Sequence, residues 1–212
     1  MDHLVVVAQG VQMTLLVTVY SFVIGAVGGV PLAMARRSRF GVVRFLARAV
    51  IEVLRGVPPL VWLFILYFGV SIGAIKFDSF TAAVVGFGLI SSAYMAEIYR
   101  GGLSAISDGQ WEASDALGMS RSATLASVIG PQVIRVSIPA AATFGIGLLK
   151  DSSVASVIGV QDIVFFAYQD ASQTAQGIVP FLYAAGLYIA MTIPCAWVTR
   201  RLDSTLRKRV AR

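Results

Sequence analysis

Cysteine and histidine are nearly absent from this 212-residue chain, which has only Cys195 and His3. One thiol cannot form an intrachain disulfide, and one thiol with one imidazole cannot make a zinc cluster within a chain. The same shortage excludes a Ser/His/Asp catalytic set beyond the terminal His3. Lysine stands only at Lys76, Lys150 and Lys208, and no G-x-x-x-x-G-K-[ST] loop is present to cradle a phosphate. No catalytic residue, metal site or cofactor bound by this chain is therefore expected. Charge is sparse as well, at 13% of residues against about 25% in soluble proteins. Apolar residues make up 57%, and the mean hydropathy is +0.79. That leaves too little polar surface to coat a water-soluble globule. A cytosolic enzyme, a disordered chain and a secreted disulfide scaffold are excluded. The expectation is an all-α membrane protein, one transmembrane domain over 1–212, whose partner is the lipid bilayer and not nucleic acid.

What is present is a set of apolar windows long enough to cross a bilayer, which takes about 20 residues of helix. Four that meet or nearly meet that length carry no charge: 11–35, 56–75, 79–96 and 171–199. A fifth, 122–149, is equally apolar but contains Arg135. The net charge of +6 is concentrated in two clusters. Arg36, Arg37, Arg39, Arg44, Arg48 and Arg55 follow the first window; Arg200, Arg201, Arg207, Lys208, Arg209 and Arg212 follow the last. Basic loops stay in the cytoplasm. If both clusters do so, an odd number of crossings separates the N-terminus from the tail, and 122–149 must cross too. The spacing predicts five transmembrane helices, at about 11–35, 46–75, 79–99, 122–150 and 176–199, with the N-terminus outside and the C-terminus cytoplasmic.

Three local features qualify that picture. Ala33-Met34-Ala35 has the small-residue form of a signal cleavage site, but no basic segment precedes the apolar run, so a retained helix is expected. Pro131 breaks the helical ladder, so the fourth crossing would begin near Gln132, with Arg135 either snorkelling to the headgroups or lining a polar cavity. Gly25 and Gly29 form a G-x-x-x-G pair that permits close helix approach. The sequence shows no solenoid-period repeat, low-complexity tract or soluble domain.

The most informative polar stretch lies between the third and fourth windows. Ser107 and Gln110 have capping-box spacing, and Asp108 is itself a competent cap. A short helix over about 108–118 follows, with acids in its early turns, an apolar face of Ala113, Ala116 and Leu117, and Gly118 as its stop. A helix this short needs something to dock on.

Glu112, Ala113 and Ser114, then Gly118, then Val128-Ile129-Gly130-Pro131 resemble the EAA loop of ABC-importer permeases. Four flanking runs resemble the polar amino acid uptake branch of the same family: 55–60 (RGVPPL), 96–102 (AEIYRGG), 109–120 around GQWEA and ALGMS, and 149–156 (LKDSSVAS). The motifs are collinear and cover nearly the whole chain. The resemblance implies a type I ABC importer-like permease in the bacterial inner membrane. Glu112, Ala113, Ser114, Asp115 and Gly118 would form a coupling helix seated on a cytoplasmic ATP-binding subunit, which would hold the ATP and magnesium. It also implies a second permease chain, identical or homologous, and an extracytoplasmic solute-binding protein that delivers a polar amino acid or related small solute.

Departures from the family pattern bear on the solute. Ser114 replaces an alanine, and Gly130 replaces the leucine before Pro131, which would loosen that helix start. Val57 and Trp62 stand where Thr and Gln are common, and Thr143 and Phe144 where more polar residues are common. Either the ligand is less polar, or the partner permease carries its contacts, or these are packing changes. A zwitterion needs a cation and an anion. Arg55, Glu97, Arg100, Lys150 and Asp151 are the candidates, with Trp62, Thr143 and Phe144 as pathway neighbours. Glu97 and Arg100 share a helical face and can instead pair with each other. Two other functions compete with the importer subunit: a self-sufficient secondary transporter or channel, and a membrane scaffold without a pathway. The absence of inverted repeats and of several buried charges weighs against the secondary transporter.

Overall fold

The structure is a computed structural model that describes the backbone of residues 2–72 and 75–210. Side chains at 71–75 and beyond Arg201 fall outside the described residues, and with them most of the basic tail. The elements in chain order are α1 (His3–Ala8), α2 (Val11–Arg36), α3 (Gly41–Gly56), α4 (Pro59–Phe64), a two-stranded hairpin β1 (Ser71–Ile72) and β2 (Ile75–Lys76), α5 (Ser79–Ser104), α6 (Asp108–Ala116), α7 (Arg121–Thr124), α8 (Gly130–Asp151), α9 (Ile163–Thr174) and α10 (Val179–Val210). Among the described residues, four helical stretches are long and apolar enough to cross a membrane: His3–Arg36, Ser79–Ser104, Arg121–Ile158 and Val179–Arg201. Counting Gly41–Gly56 with Pro59–Gly69 as one broken span gives up to five.

That broken span differs from the uninterrupted 46–75 helix the hydropathy suggests. The two pieces meet at 100°. Pro58 and Pro59 are the cause, because the residue before a proline is driven out of the α region. Val57 (φ −92°, ψ 131°) and Pro58 (φ −54°, ψ 140°) are both extended, and Pro59 restarts the helix at a position where its missing N–H costs nothing. The last window also divides: α9 ends at Thr174, Ala175 takes a left-handed φ of 57°, and α10 begins only at Val179.

Pro131, expected to break the helical ladder so that the fourth crossing begins near Gln132, does not break it. The chain is helical from Arg121 to Ile158, and a π-turn over Leu125–Ile129 absorbs the hydrogen bond the proline removes. Gly130 is required there rather than loosening. A Cβ at this position would lie 2.5 Å from the Leu125 carbonyl oxygen. Arg135 is exposed, one turn into α8.

α2 and α5 run side by side in the same direction. Gly25 and Gly29 face Ser91 and Met95 so closely that a Cβ on either glycine would fall within 2.3 and 2.7 Å of those side chains. The Tyr99 hydroxyl donates to the Ala26 carbonyl at 2.9 Å. The core buries Val17, Leu63, Ala82, Phe87, Leu148 and Ile158 where α2, α4, α5 and the end of α8 converge. The ends of α2 and α5, all of α6 and the start of α8 lie together at one end, the arginine-rich end. The Trp111 ring sits 5.5 Å from the Arg37 guanidinium, and Gln132 Nε2 donates to Gln110 Oε1 at 3.1 Å. At the opposite end α1, α9 and the start of α10 pack around Val7, Ile163, Ala167 and Ala184, with His3 Nδ1 2.7 Å from Asp170 Oδ2.

Candidate functional site

The bend at Val57–Pro58 delivers Arg55, in the last turn of α3, to a cavity of about 200 Å³ between α3, α5 and α8. Its guanidinium lies over the Tyr94 ring at 4.8 Å from the centroid. Tyr94 in turn stacks on Phe144, with centroids 5.1 Å apart and planes 22° from parallel. The result is a three-layer stack of cation, phenol and phenyl, a geometry that favours the guanidinium face. Asp151, at the far end of α8, lines the same cavity, and Phe87, Ile90 and Leu148 make its apolar floor. One cation, one anion and an aromatic wall thus surround a space smaller than the roughly 300–1,000 Å³ of drug-sized sites.

Of the expected pathway residues, the structure brings Arg55, Phe144 and Asp151 together. Thr143 does not line the cavity, and its hydroxyl donates to the Pro139 carbonyl of its own helix at 3.0 Å. Lys150 is exposed and does not line the cavity. Trp62 packs against the buried cluster of Ala33, Ile51, Leu54, Ala93 and Ala96, with its indole N–H buried and unpartnered. Glu97 and Arg100 are at the arginine-rich end: Glu97 accepts from Arg36 Nη1 and from Arg100 Nε, each at 2.8 Å. Tyr94 was not singled out by sequence. Nothing in its spacing separates it from Tyr99 on the same helix, and only the arrival of Arg55 and Phe144 from distant segments marks it.

The second candidate region is α6. Ser107 occupies the cap position, but its side chain makes no capping bond. The expected capping box does not form, because the Gln110 amide is engaged with Gln132 instead. The stop is as expected: Gly118 has φ +68°, its N–H bonds the Asp115 carbonyl at 2.9 Å, and the Met119 N–H bonds Ser114 at 3.1 Å. Ser114 is buried against the bundle, its hydroxyl on the Gln110 carbonyl at 2.8 Å. Glu112, Ala113, Asp115 and Ala116 are exposed, and Leu117 is 80% exposed. One side of the helix is tied down, and the other presents an acidic and apolar surface with no partner among the described residues.

A bundle of membrane-length helices enclosing a small charged cavity, with a short helix displayed at one end, defines a multi-pass membrane transport protein. The chain belongs to the family of binding-protein-dependent transport system inner membrane components, whose model matches residues 13–208. It is a permease of a binding-protein-dependent importer; members of this family are transport components rather than catalysts and work with ATP-binding subunits and a substrate-binding protein. The chain is 38% identical over 185 residues to the probable amino-acid ABC transporter permease YckA of Bacillus subtilis, covering 87% of this chain and 82% of that one. It is 33% identical over 208 residues to the L-cystine transport system permease TcyB of the same organism, covering 98% and 89%. A crystal structure of an amino acid ABC transporter with histidines superposes with a TM-score of 0.85 at 34% identity, over 96% of this chain and 94% of that chain.

Proposed function

We propose that this permease carries a small zwitterionic amino acid across the bacterial cytoplasmic membrane, and that the Arg55–Tyr94–Phe144–Asp151 cavity is where the solute rests during passage. The observation that carries this reading is the pairing of one guanidinium and one carboxylate across a single small cavity. Arg55 receives the α-carboxylate as a fork of parallel donors, and Asp151 accepts the α-ammonium group. The Tyr94–Phe144 wall meets the side chain, which favours an apolar or weakly polar one, in keeping with the exchange of a more polar residue for Phe144. The amino-acid relatives support the solute class.

The arginine-rich end is cytoplasmic and the N-terminus external, with the bent α3–α4 pair counted as one of five crossings. In this reading α6 is the coupling helix: Glu112 makes the polar contact with an ATP-binding subunit, Ala113 and Leu117 the apolar one, and Gly118 the tight exit. Two permease chains share the pathway. The Arg36–Glu97–Arg100 group closes the pathway at its cytoplasmic end, and Lys150 and Asp151 stand at its outer end. The test is uptake by the assembled importer in proteoliposomes. Arg55→Gln raises the KM for a neutral amino acid at least about tenfold, the loss of one charge-assisted bond of roughly 1.5–3 kcal/mol. An unchanged KM sinks the assignment.

A further inference from the structure

A second cavity, of about 460 Å³, opens at the arginine-rich end between α2, α6 and α7. Three features mark it. Arg37 and Arg121 line it and make no ion pair with any described residue. Trp111 forms the wall opposite Arg37, with ring and guanidinium 5.5 Å apart. Thr124 also lines it, and its hydroxyl oxygen is fully buried without a hydrogen-bond partner. Asp115 is the one acid on the rim, leaving the lining net cationic.

The apolar part of the lining fixes the kind of anion. Met34, 65% exposed, and Leu125, 39% exposed, carry the wall out of the cavity onto the surfaces of two membrane-length helices. A soluble anion would leave that apolar ramp unused. A phospholipid uses both parts: its phosphate takes the two guanidiniums, and its acyl chains lie along Met34 and Leu125. Tryptophan at the headgroup level is the usual accompaniment.

We infer that the Arg37–Trp111–Arg121–Thr124 cavity is a binding site for the headgroup of an anionic phospholipid. A lipid held there bridges α6 to the end of α2, so the position of α6 depends on the charge of the surrounding membrane. This goes beyond the transport reading and does not rest on it.

The test is native mass spectrometry of the delipidated full-length chain in detergent, titrated with phosphatidylglycerol or phosphatidylcholine and repeated on the assembled importer. The expected result is one phosphatidylglycerol per permease chain held in preference to phosphatidylcholine, each arginine removed weakening that preference about fivefold. R37Q/R121Q loses the bound lipid, and R37K/R121K keeps it. Should the double glutamine variant not fold, Arg121→Gln alone, which leaves the Arg37–Trp111 stack intact, reads the single fivefold step, and an unchanged preference there overturns the proposal. Equal retention of the two lipids overturns the proposal. So does displacement of the lipid by inorganic phosphate, which would mark a soluble-anion site. Preference in the chain alone but not in the importer would mean that a protein partner fills the cavity, and would overturn it too.

Discussion

Arg36 Nη1 donates to Glu97 Oε1 at 2.8 Å across the interface between α2 and α5, with both side chains less than one-fifth exposed. The second carboxylate oxygen is taken by Arg100 Nε, also at 2.8 Å, but Arg100 is 45% exposed. The two bonds are alike in length and unlike in worth. Glu97→Gln strands the shielded Arg36 guanidinium and should cost about 1–3 kcal/mol, the usual penalty for an unmade bond to a charged group. Arg100→Ala, a solvated helix pair, should cost under about 1 kcal/mol. Thermal unfolding in detergent distinguishes them. Equal shifts would mean that burial does not set the value of this group.

Close approach of α2 and α5 gives a steric prediction. Gly25→Ala places a methyl carbon 2.3 Å from the Ser91 Cβ, where no flexible end can move aside. Destabilisation of about 1–3 kcal/mol is expected from overpacking. Gly41→Ala meets nothing within 4 Å and is the control, expected neutral or slightly stabilising. Their melting temperatures should move in opposite directions or differ clearly.

For α6, Glu112→Ala in the assembled importer should leave membrane insertion intact while ATP hydrolysis no longer drives uptake. Gly118→Ala forces an alanine to φ +68°, at about 1–2 kcal/mol for a left-handed residue, and should displace the exit of the helix with the same loss of coupling. Hydrolysis and uptake are measured side by side. Uptake that stays coupled in both variants would remove α6 from the power stroke.

Asp162 yields a pH prediction. It lies outside the spans, 1% exposed, and burial pushes its carboxyl up to about 7, against the partial relief of backbone N–H bonds from Phe165, Val164 and its own amide. Oδ1 accepts from the Phe165 N–H at 2.8 Å as the cap of α9, while Oδ2 has no partner. The folded state therefore holds this proton more tightly than the unfolded chain, whose pKa is about 3.9. Its contribution to stability is fully present below about pH 4 and is lost as pH rises through about 7. Asp162→Asn keeps the cap and cannot ionise, so its melting temperature should fall less than the parent's between about pH 5 and 8. A parallel decline in both proteins would place the pH dependence elsewhere.

Local chemistry was legible where it acted alone. Gly118 ends its helix because a positive φ is nearly free for glycine, and that needs no neighbour. The capping box at Ser107 failed because Gln110 found a partner 22 residues away, Gln132, which spacing cannot register. The break at Pro58–Pro59 was carried by two adjacent residues and was hidden by a hydropathy window that sums apolar content and ignores backbone geometry. Pro131 erred in the opposite sense, since a π-turn repaired the ladder.

The sequence by itself determined the class of the molecule. The hydrophobic effect depends on how much apolar surface a chain has and on where its few charges interrupt it, and both are linear properties. The cavity was decided only by tertiary structure. Arg55, Tyr94, Phe144 and Asp151 are separated by up to 96 positions (151 − 55) and come from three helices. A guanidinium lies on a tyrosine face there only because two prolines turn one segment through 100° toward the others.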